Sequence, residues 1–335
     1  MGAVHISRRG GLLVVAPDGA PIVLDAEPGL DTSVLEVPGG HLTWSLLGGE
    51  RIPAAVLDDP DTAQDWLWAV YGERIAMALA DFGGGAIEVD TDPVLPELVA
   101  NAWRLGYAHW AARWWPASTV DSIAPLDARL LAEEIAGLTA ECELLTDGAD
   151  AVVDDPDRTT IGRAEDYALA AGPGAAGASL VLARGTGGWE WLRCPPGLLD
   201  ASERAVTWEV MREAGRNIVQ VSVVAAPRIP VEVPAHLHPR AAIAASGGTV
   251  DVQLTRSGEL WSSISAAPPE AETGVAVHIY VPGLPERADP GGAAARQRVR
   301  DFAALRLRRA LAGGDTAADG PLLAEIAAAN SDSDF

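Results

Sequence analysis

Hydrophobic periodicity changes once along this 335-residue chain, and that change limits the folds it can adopt. Between residues 61 and 145, apolar residues recur at spacings of three and four, a pattern that predicts amphipathic helices. Between residues 205 and 281, short apolar segments alternate with polar residues and are separated by Gly, Pro and Ser, which predicts antiparallel strands. We therefore expect an α+β fold, with an N-terminal α/β module containing Trp-rich helices and a C-terminal β-sandwich-like module closed by short helices.

The first module is predicted to begin with strands and to continue with helices. The apolar runs Leu12–Val15 and Ile22–Leu24 are typical of short strands. Helical spacing then predicts three helices, over about residues 62–82, 93–116 and 127–145. The first of these helices is expected to be continuous up to its glycine-rich end.

Aromatic residues are placed regularly on the predicted helices. The first helix has Trp66, Val70 and Met77 on one side. The second has a stripe of four aromatic residues at spacings of four, three and four, namely Trp103, Tyr107, Trp110 and Trp114. This stripe is interpreted mainly as core packing. Trp115 and His109 lie off it and are the better candidates for surface contacts, since exposed aromatic residues are frequent binding hot spots.

Composition divides the chain into five predicted parts. They are an α/β module at residues 1–146, an acidic linker at 147–163, a β-rich sandwich-like module at 164–285, C-terminal helices at 290–330 and an acidic tail at 331–335.

The charge balance excludes several function classes. The chain has 47 acidic and 24 basic residues, a net charge of −23, which disfavours a nucleic-acid partner and an anionic membrane. All 24 basic residues are Arg, so chemistry that needs a lysine, as in Schiff bases or phosphate loops, is excluded. Drift in a GC-rich genome and selection against lysine both explain this composition. No apolar run reaches 18 residues and no signal peptide is evident, so a cytoplasmic location is expected.

Local motifs of common enzymes are missing from the sequence. There is no Gly-x-Ser-x-Gly, His-Glu-x-x-His or Cys-x-x-Cys motif, and no cofactor is predicted. Residues 185–188, Gly-Thr-Gly-Gly, are interpreted as a hairpin turn rather than a phosphate loop. Cys142 and Cys194 are far apart in sequence and are expected to be buried free thiols.

One pair of histidines is closely spaced. His236 and His238 would point to the same side of a strand, where Glu232 and His278 could complete a two-histidine, one-carboxylate metal site. The prolines on either side of the pair favour a solvated loop instead. Both interpretations remain open at this point.

Six of the 24 basic residues lie on one predicted helix over residues 293–311. They make it a candidate for binding an acidic partner or RNA. The same helix could instead dock on the acidic surface of its own chain, because Val299, Phe302 and Leu305 provide an apolar face. The arginines assigned to partner binding are Arg296, Arg300, Arg306, Arg308 and Arg309.

The final residues are a second candidate for partner contacts. Asp332, Asp334 and Phe335 place carboxylates beside an aromatic ring at the chain end, which a pocket could capture. A frayed tail is the alternative.

Taken with the missing enzyme motifs, these contact features predict a non-enzymatic accessory or adaptor protein that binds another protein. Self-association into a homo-oligomer is also compatible with the sequence. The alternative is a metal-dependent enzyme or small-molecule-binding protein that uses the His-x-His segment.

Overall fold

A computed structural model describes residues 2–146, 180–313 and 320–331 of the chain. Within those residues there are seven α-helices and three antiparallel sheets, so the predicted α+β fold class is confirmed. The predicted acidic linker, the start of the β-rich module and the tail beyond Ser331 lie outside the described residues. None of the helices described is long and apolar enough to cross a lipid bilayer.

Six strands form the first sheet. They are β1 (Ala3–Arg9), β2 (Leu12–Ala16), β3 (Thr32–Val37), β4 (Gly40–Ser45), β5 (Ala54–Leu57) and β6 (Ile87–Asp90). Neighbouring strands are antiparallel in the order β3-β4-β5-β2-β1-β6. The strand predicted over residues 22–24 is not formed, because a turn closes there: the amide of Asp25 donates to the carbonyl of Ile22 at 3.0 Å, and the amide of Ile22 donates to the Asp25 carboxylate at 2.8 Å. Ile22 packs with Val14 and Val56 in a small cluster.

The same half of the chain also forms five helices. They are α1 (Gln64–Tyr71), α2 (Glu73–Ala80), α3 (Pro96–Trp114), α4 (Ala128–Glu141) and α5 (Glu143–Thr146). The start of α4 is confirmed at Asp127, whose carboxylate accepts hydrogen bonds from the backbone amides of Arg129 and Leu130.

The single helix predicted over residues 62–82 is wrong, because it is broken at Gly72. Gly72 has a φ of 97°, and its backbone is so close to residue 92 that a Cβ atom would lie 2.3 Å from the carbonyl oxygen of Asp92. The break changes the direction of the second half. Trp66 and Val70 are buried, whereas Met77, which was predicted on the same side, is 59% exposed.

The aromatic stripe of α3 lies in the core. Trp103, Tyr107 and Trp110 are buried, and the ring centroids of Trp103 and Tyr107 are 5.5 Å apart in a stacked arrangement. The interpretation of this stripe as core packing is therefore confirmed for these three residues.

Eight strands make up the second half. They are β7 (Leu180–Gly187), β8 (Val206–Glu213), β9 (Arg216–Val224), β10 (Arg240–Ala245), β11 (Gly248–Gln253), β12 (Thr255–Ser257), β13 (Leu260–Ala266) and β14 (Ala276–Tyr280). A five-stranded sheet has the order β12-β13-β9-β8-β7, and a three-stranded sheet has the order β11-β10-β14.

The hairpin turn predicted at residues 185–188 is wrong. Gly185, Thr186 and Gly187 continue β7 and pair with β8. Gly185 lies opposite Trp208, and a Cβ atom on it would be 2.5 Å from the indole ring. The glycine therefore makes room for a tryptophan on the neighbouring strand.

Two helices close the described chain, α6 (Gly292–Leu311) and α7 (Leu323–Ser331). One large cluster of buried side chains includes residues from the first sheet, from the five-stranded sheet and from these helices. The predicted module boundaries stay predictions.

Candidate interaction surface

Three of the arginines on α6 point into the protein. Arg296, Arg300 and Arg306 are at most 5% exposed, and they lie on the same side of the helix as the buried Val299 and Ala303. Arg296 forms a bidentate pair with Glu203, with Nε–Oε1 and Nη2–Oε2 distances of 2.6 and 3.0 Å, and also bonds Asp289 at 2.9 Å. The helix thus docks within its own chain at these positions.

The innermost pair lies between α3, α6 and α7. Arg306 bonds both carboxylate oxygens of Glu325, at 2.9 and 2.7 Å, and its guanidinium carbon is 4.7 Å from the centre of the Tyr107 ring. The hydroxyl of Tyr107 donates to Glu325 at 2.5 Å. Burial and the charge of Glu325 raise the pKa of Tyr107 well above its usual value, which keeps this hydroxyl protonated as a donor.

The other predicted partner-binding residues have different surroundings. Arg298, Arg308 and Arg309 are the exposed arginines of α6, so a partner bound to this helix would meet them rather than the buried three. Trp115 is half-buried, and its indole donates to the carbonyl of Ala124 at 2.9 Å. The tail residues Asp332, Asp334 and Phe335 lie outside the described residues.

The predicted metal ligands are not brought together. His236 lies on a short 3₁₀ turn, and Nε2 of His238 is 3.1 Å from the carbonyl oxygen of Val233. Glu232 and His278 are exposed. Across the described ranges no group of three or more His, Cys, Asp or Glu side chains has the geometry to hold a metal ion.

Both cysteines are free and buried, which confirms the prediction of two unpaired thiols. Burial raises the pKa of Cys142 and of Cys194 to about 12, so neither thiol is ionised at neutral pH.

A surface of a different kind is formed by residues 58–97, and we call it the acidic face. This segment has ten acidic residues and one basic residue, Arg74. All ten carboxylate side chains are exposed; they are Asp58, Asp59, Asp61, Asp65, Glu73, Asp81, Glu88, Asp90, Asp92 and Glu97. Hydrogen bonds from Thr62 lower the pKa of Asp59, and Arg74 is 3.9 Å from Asp90.

Backbone contacts hold the parts of the acidic face next to one another. The amides of Val94 and Leu95 both donate to the carbonyl of Ala69 on α1, and the amide of Asp92 donates to Tyr71. The close approach at Gly72 lets the loop before α3 run directly beside α1. Strand β6, the outer strand of its sheet, packs against α2.

Large apolar side chains are exposed among these carboxylates. Trp68 on α1 is 44% exposed. Leu95 is also exposed, and its backbone amide donates to the carbonyl of Ala69, the residue after Trp68. Met77 on α2 is 59% exposed, one helical turn after Glu73. Ile87 and Val94 are exposed as well. The acidic face therefore combines unburied hydrophobic anchors with a dense negative charge.

The outer face of the five-stranded sheet is also open but has no excess charge, and we call it the neutral sheet face. It is the face opposite to the buried Val219, Val221 and Val223 of β9. A shallow depression of about 520 Å³ lies on it, lined by Arg184, Thr186, Thr207, Glu209, Gln220 and Ser222 among others. Arg184 and Glu209 are paired across the strands, and Ile264 on the same face is 64% exposed.

The acidic face was not among the sequence predictions. Its signal was present as the ratio of ten acidic residues to one basic residue within 40 positions. The exposure of Met77 was not predicted, because the continuous helix predicted there placed it on the same side as Trp66 and Val70, which are buried in the structure.

Comparisons with known proteins identify no relative. No family model, no curated protein and no solved structure matches this chain.

Proposed function

We propose that this protein is a non-enzymatic cytoplasmic accessory or adaptor protein that binds a partner protein through the acidic face. The observation that carries the proposal is the exposure of Trp68, Met77 and Leu95 within a surface of ten unburied carboxylates. Large apolar side chains cost free energy when they stay in water, and Trp and Met are enriched where proteins bind one another.

The acidic residues support binding in a second way. A dense single-sign charge raises the rate of encounter with a partner of opposite charge and repels partners of like charge. The buried arginines of α6 do not reduce this charge, because they are already paired with Glu203, Asp289 and Glu325.

The three methionines of the chain allow a direct test. Met77 lies on the acidic face and Met211 lies on the neutral sheet face, while Met1 is common to every variant. A diazirine analogue of methionine is incorporated in cells that make the protein, and cross-links are formed by ultraviolet light. The variants Met77→Leu and Met211→Leu are compared with the wild-type chain.

The proposal predicts a cross-linked partner that is lost with Met77→Leu and kept with Met211→Leu. A partner that is lost only with Met211→Leu would move the interface to the neutral sheet face. The absence of any specific cross-link in all three proteins would contradict the adaptor function itself.

A further inference from the structure

We infer that the acidic face binds a basic, amphipathic segment of its partner, with arginine or lysine residues on one side and apolar residues on the other. The inference rests on the proposed function, since it specifies the chemistry of the partner at the same surface.

The charge of the acidic face selects a basic partner. Residues 58–97 have a net charge of −9, and the exposed carboxylates lie on α1, α2, β6, the first turn of α3 and the loops next to these elements. An acidic partner would be repelled over this whole surface, whereas each basic residue placed opposite a carboxylate gains attraction.

Trp68 offers a specific contact for such a basic residue. Its exposed indole lies on the same side of α1 as Asp65, three positions earlier. A guanidinium or ammonium group that stacks on an indole and pairs with a nearby carboxylate gains from both contacts. The chain uses the same type of stacking internally, where the guanidinium carbon of Arg51 is 3.8 Å from the centre of the Trp103 ring.

The exposed apolar residues require that the partner is not basic alone. A uniformly basic segment would leave Met77, Val94 and Leu95 in contact with charged groups, with no gain from the removal of apolar surface from water. An amphipathic segment covers them with its apolar side. Met77 suits this role because its flexible side chain adapts to different apolar partners.

Three synthetic peptides of equal length test the inference with the purified full-length chain. The first has Arg and Leu at helical spacing, the second has the same composition with the spacing scrambled, and the third has Glu in place of Arg. Binding of the labelled peptides is measured by fluorescence anisotropy at 0.15 M and 0.5 M salt. Only the first peptide is expected to bind, with weaker binding at the higher salt concentration because of screening.

Variants of the chain locate the binding surface. Trp68→Ala is expected to weaken binding of the first peptide about 30-fold, the loss typical of an aromatic hot spot. Asp65→Asn combined with Glu73→Gln is expected to weaken binding and to reduce its dependence on salt. The matched controls on the neutral sheet face, Ile264→Ala and Glu213→Gln, are expected to leave binding unchanged.

Two outcomes would overturn the inference. Equal binding of the scrambled peptide would show a general attraction of charges, and the absence of binding by all three peptides would show that the partner has another chemistry. A partner that cross-links through Met77 while the peptides fail would leave the proposed function intact and remove only this inference. The absence of any specific cross-link in the cross-linking experiment would instead contradict the proposed function, on which the inference rests.

Discussion

Helix α6 and the acidic face differ in where their charged side chains lie and in whether they are paired. On α6, Arg296, Arg300 and Arg306 are turned inward and paired with carboxylates that are fully buried, as Asp289 and Glu325 are, or partly buried, as Glu203 is. On the acidic face, ten carboxylates are turned outward and share one arginine. The first region uses opposite charges to connect parts of the chain that are far apart in sequence, and the second leaves one sign of charge in water.

Within the described residues, the difference shows where opposite charges are paired and where negative charge is left in water. The chain has few basic residues, and those on the inner side of α6 neutralise carboxylates of the interior. Exposed carboxylates on α1 and α2 are left without that compensation. Loss of a charge should therefore have a large effect on stability at α6 and a small effect on stability at the acidic face.

The largest effect is predicted for the pair formed by Arg306 and Glu325. Glu325→Gln keeps the shape of the side chain but removes a negative charge from a fully buried site that still holds the guanidinium. We expect the free energy of unfolding to fall by about 3–5 kcal/mol, the cost of leaving one buried charge uncompensated. Urea denaturation at pH 7 measures this change.

A double variant provides the control for this prediction. Arg306→Met combined with Glu325→Leu removes both charges, and we expect it to cost less than Glu325→Gln alone because no charge is left in the interior. If Glu325→Gln changed the free energy of unfolding by less than about 0.5 kcal/mol, the pair would not connect α6 to α7 as described.

A smaller, pH-dependent effect is predicted for Glu203. Burial of this carboxyl would raise its pKa, but hydrogen bonds and charge from Arg296 and Arg300 outweigh burial and lower the pKa from its ordinary value of 4.5. The native state therefore favours the ionised form. Its contribution to stability is complete above pH 4.5 and is lost as the pH falls through the lowered value.

The measurement compares the wild-type chain with Glu203→Gln over this pH range. At pH 7 we expect the variant to be less stable by about 1.5–3 kcal/mol, the value of a hydrogen bond with a charged group. The difference should shrink as the pH falls below 4.5. A difference that stays constant down to pH 3 would indicate that Glu203 acts by its shape rather than by its charge.

The position of α6 was predictable from local signals, whereas its inner face was not. The predicted range of 293–311 agrees with the helix found at Gly292–Leu311, because helical spacing is a local property of the sequence. Which arginines point inward depends on Glu203 and Glu325, which approach only in the folded chain. The sequence-based choice of Leu305 for the apolar side was wrong for the same reason, since it is 38% exposed.

The exposed apolar residues of the acidic face could not be predicted from the sequence because of a single non-local contact. Gly72 breaks the first helix because the backbone at Asp92 lies against it, and neither residue indicates this approach in isolation. Once the helix is broken, Met77 leaves the buried side defined by Trp66 and Val70. The charge of residues 58–97 could be counted from the sequence, but which of their side chains are exposed depends on the packing of α1, α2 and β6.

The smallest effect on stability is predicted for the acidic face. It tests whether exposed carboxylates contribute less to stability than the paired charges at α6. Asp65→Asn combined with Glu73→Gln removes two exposed carboxylates that have one arginine, Arg74, in their segment. We expect the free energy of unfolding to change by less than about 0.5 kcal/mol, with a tendency to increase because repulsion between like charges is reduced. Added salt should stabilise the wild-type chain slightly more than the double variant, since screening acts on repulsion that the variant has partly lost. A loss of about 2 kcal/mol or more in urea denaturation would mean that these carboxylates hold the fold together, as expected of the buried ones paired with α6, and the acidic face would then be structural rather than a surface left free for a partner.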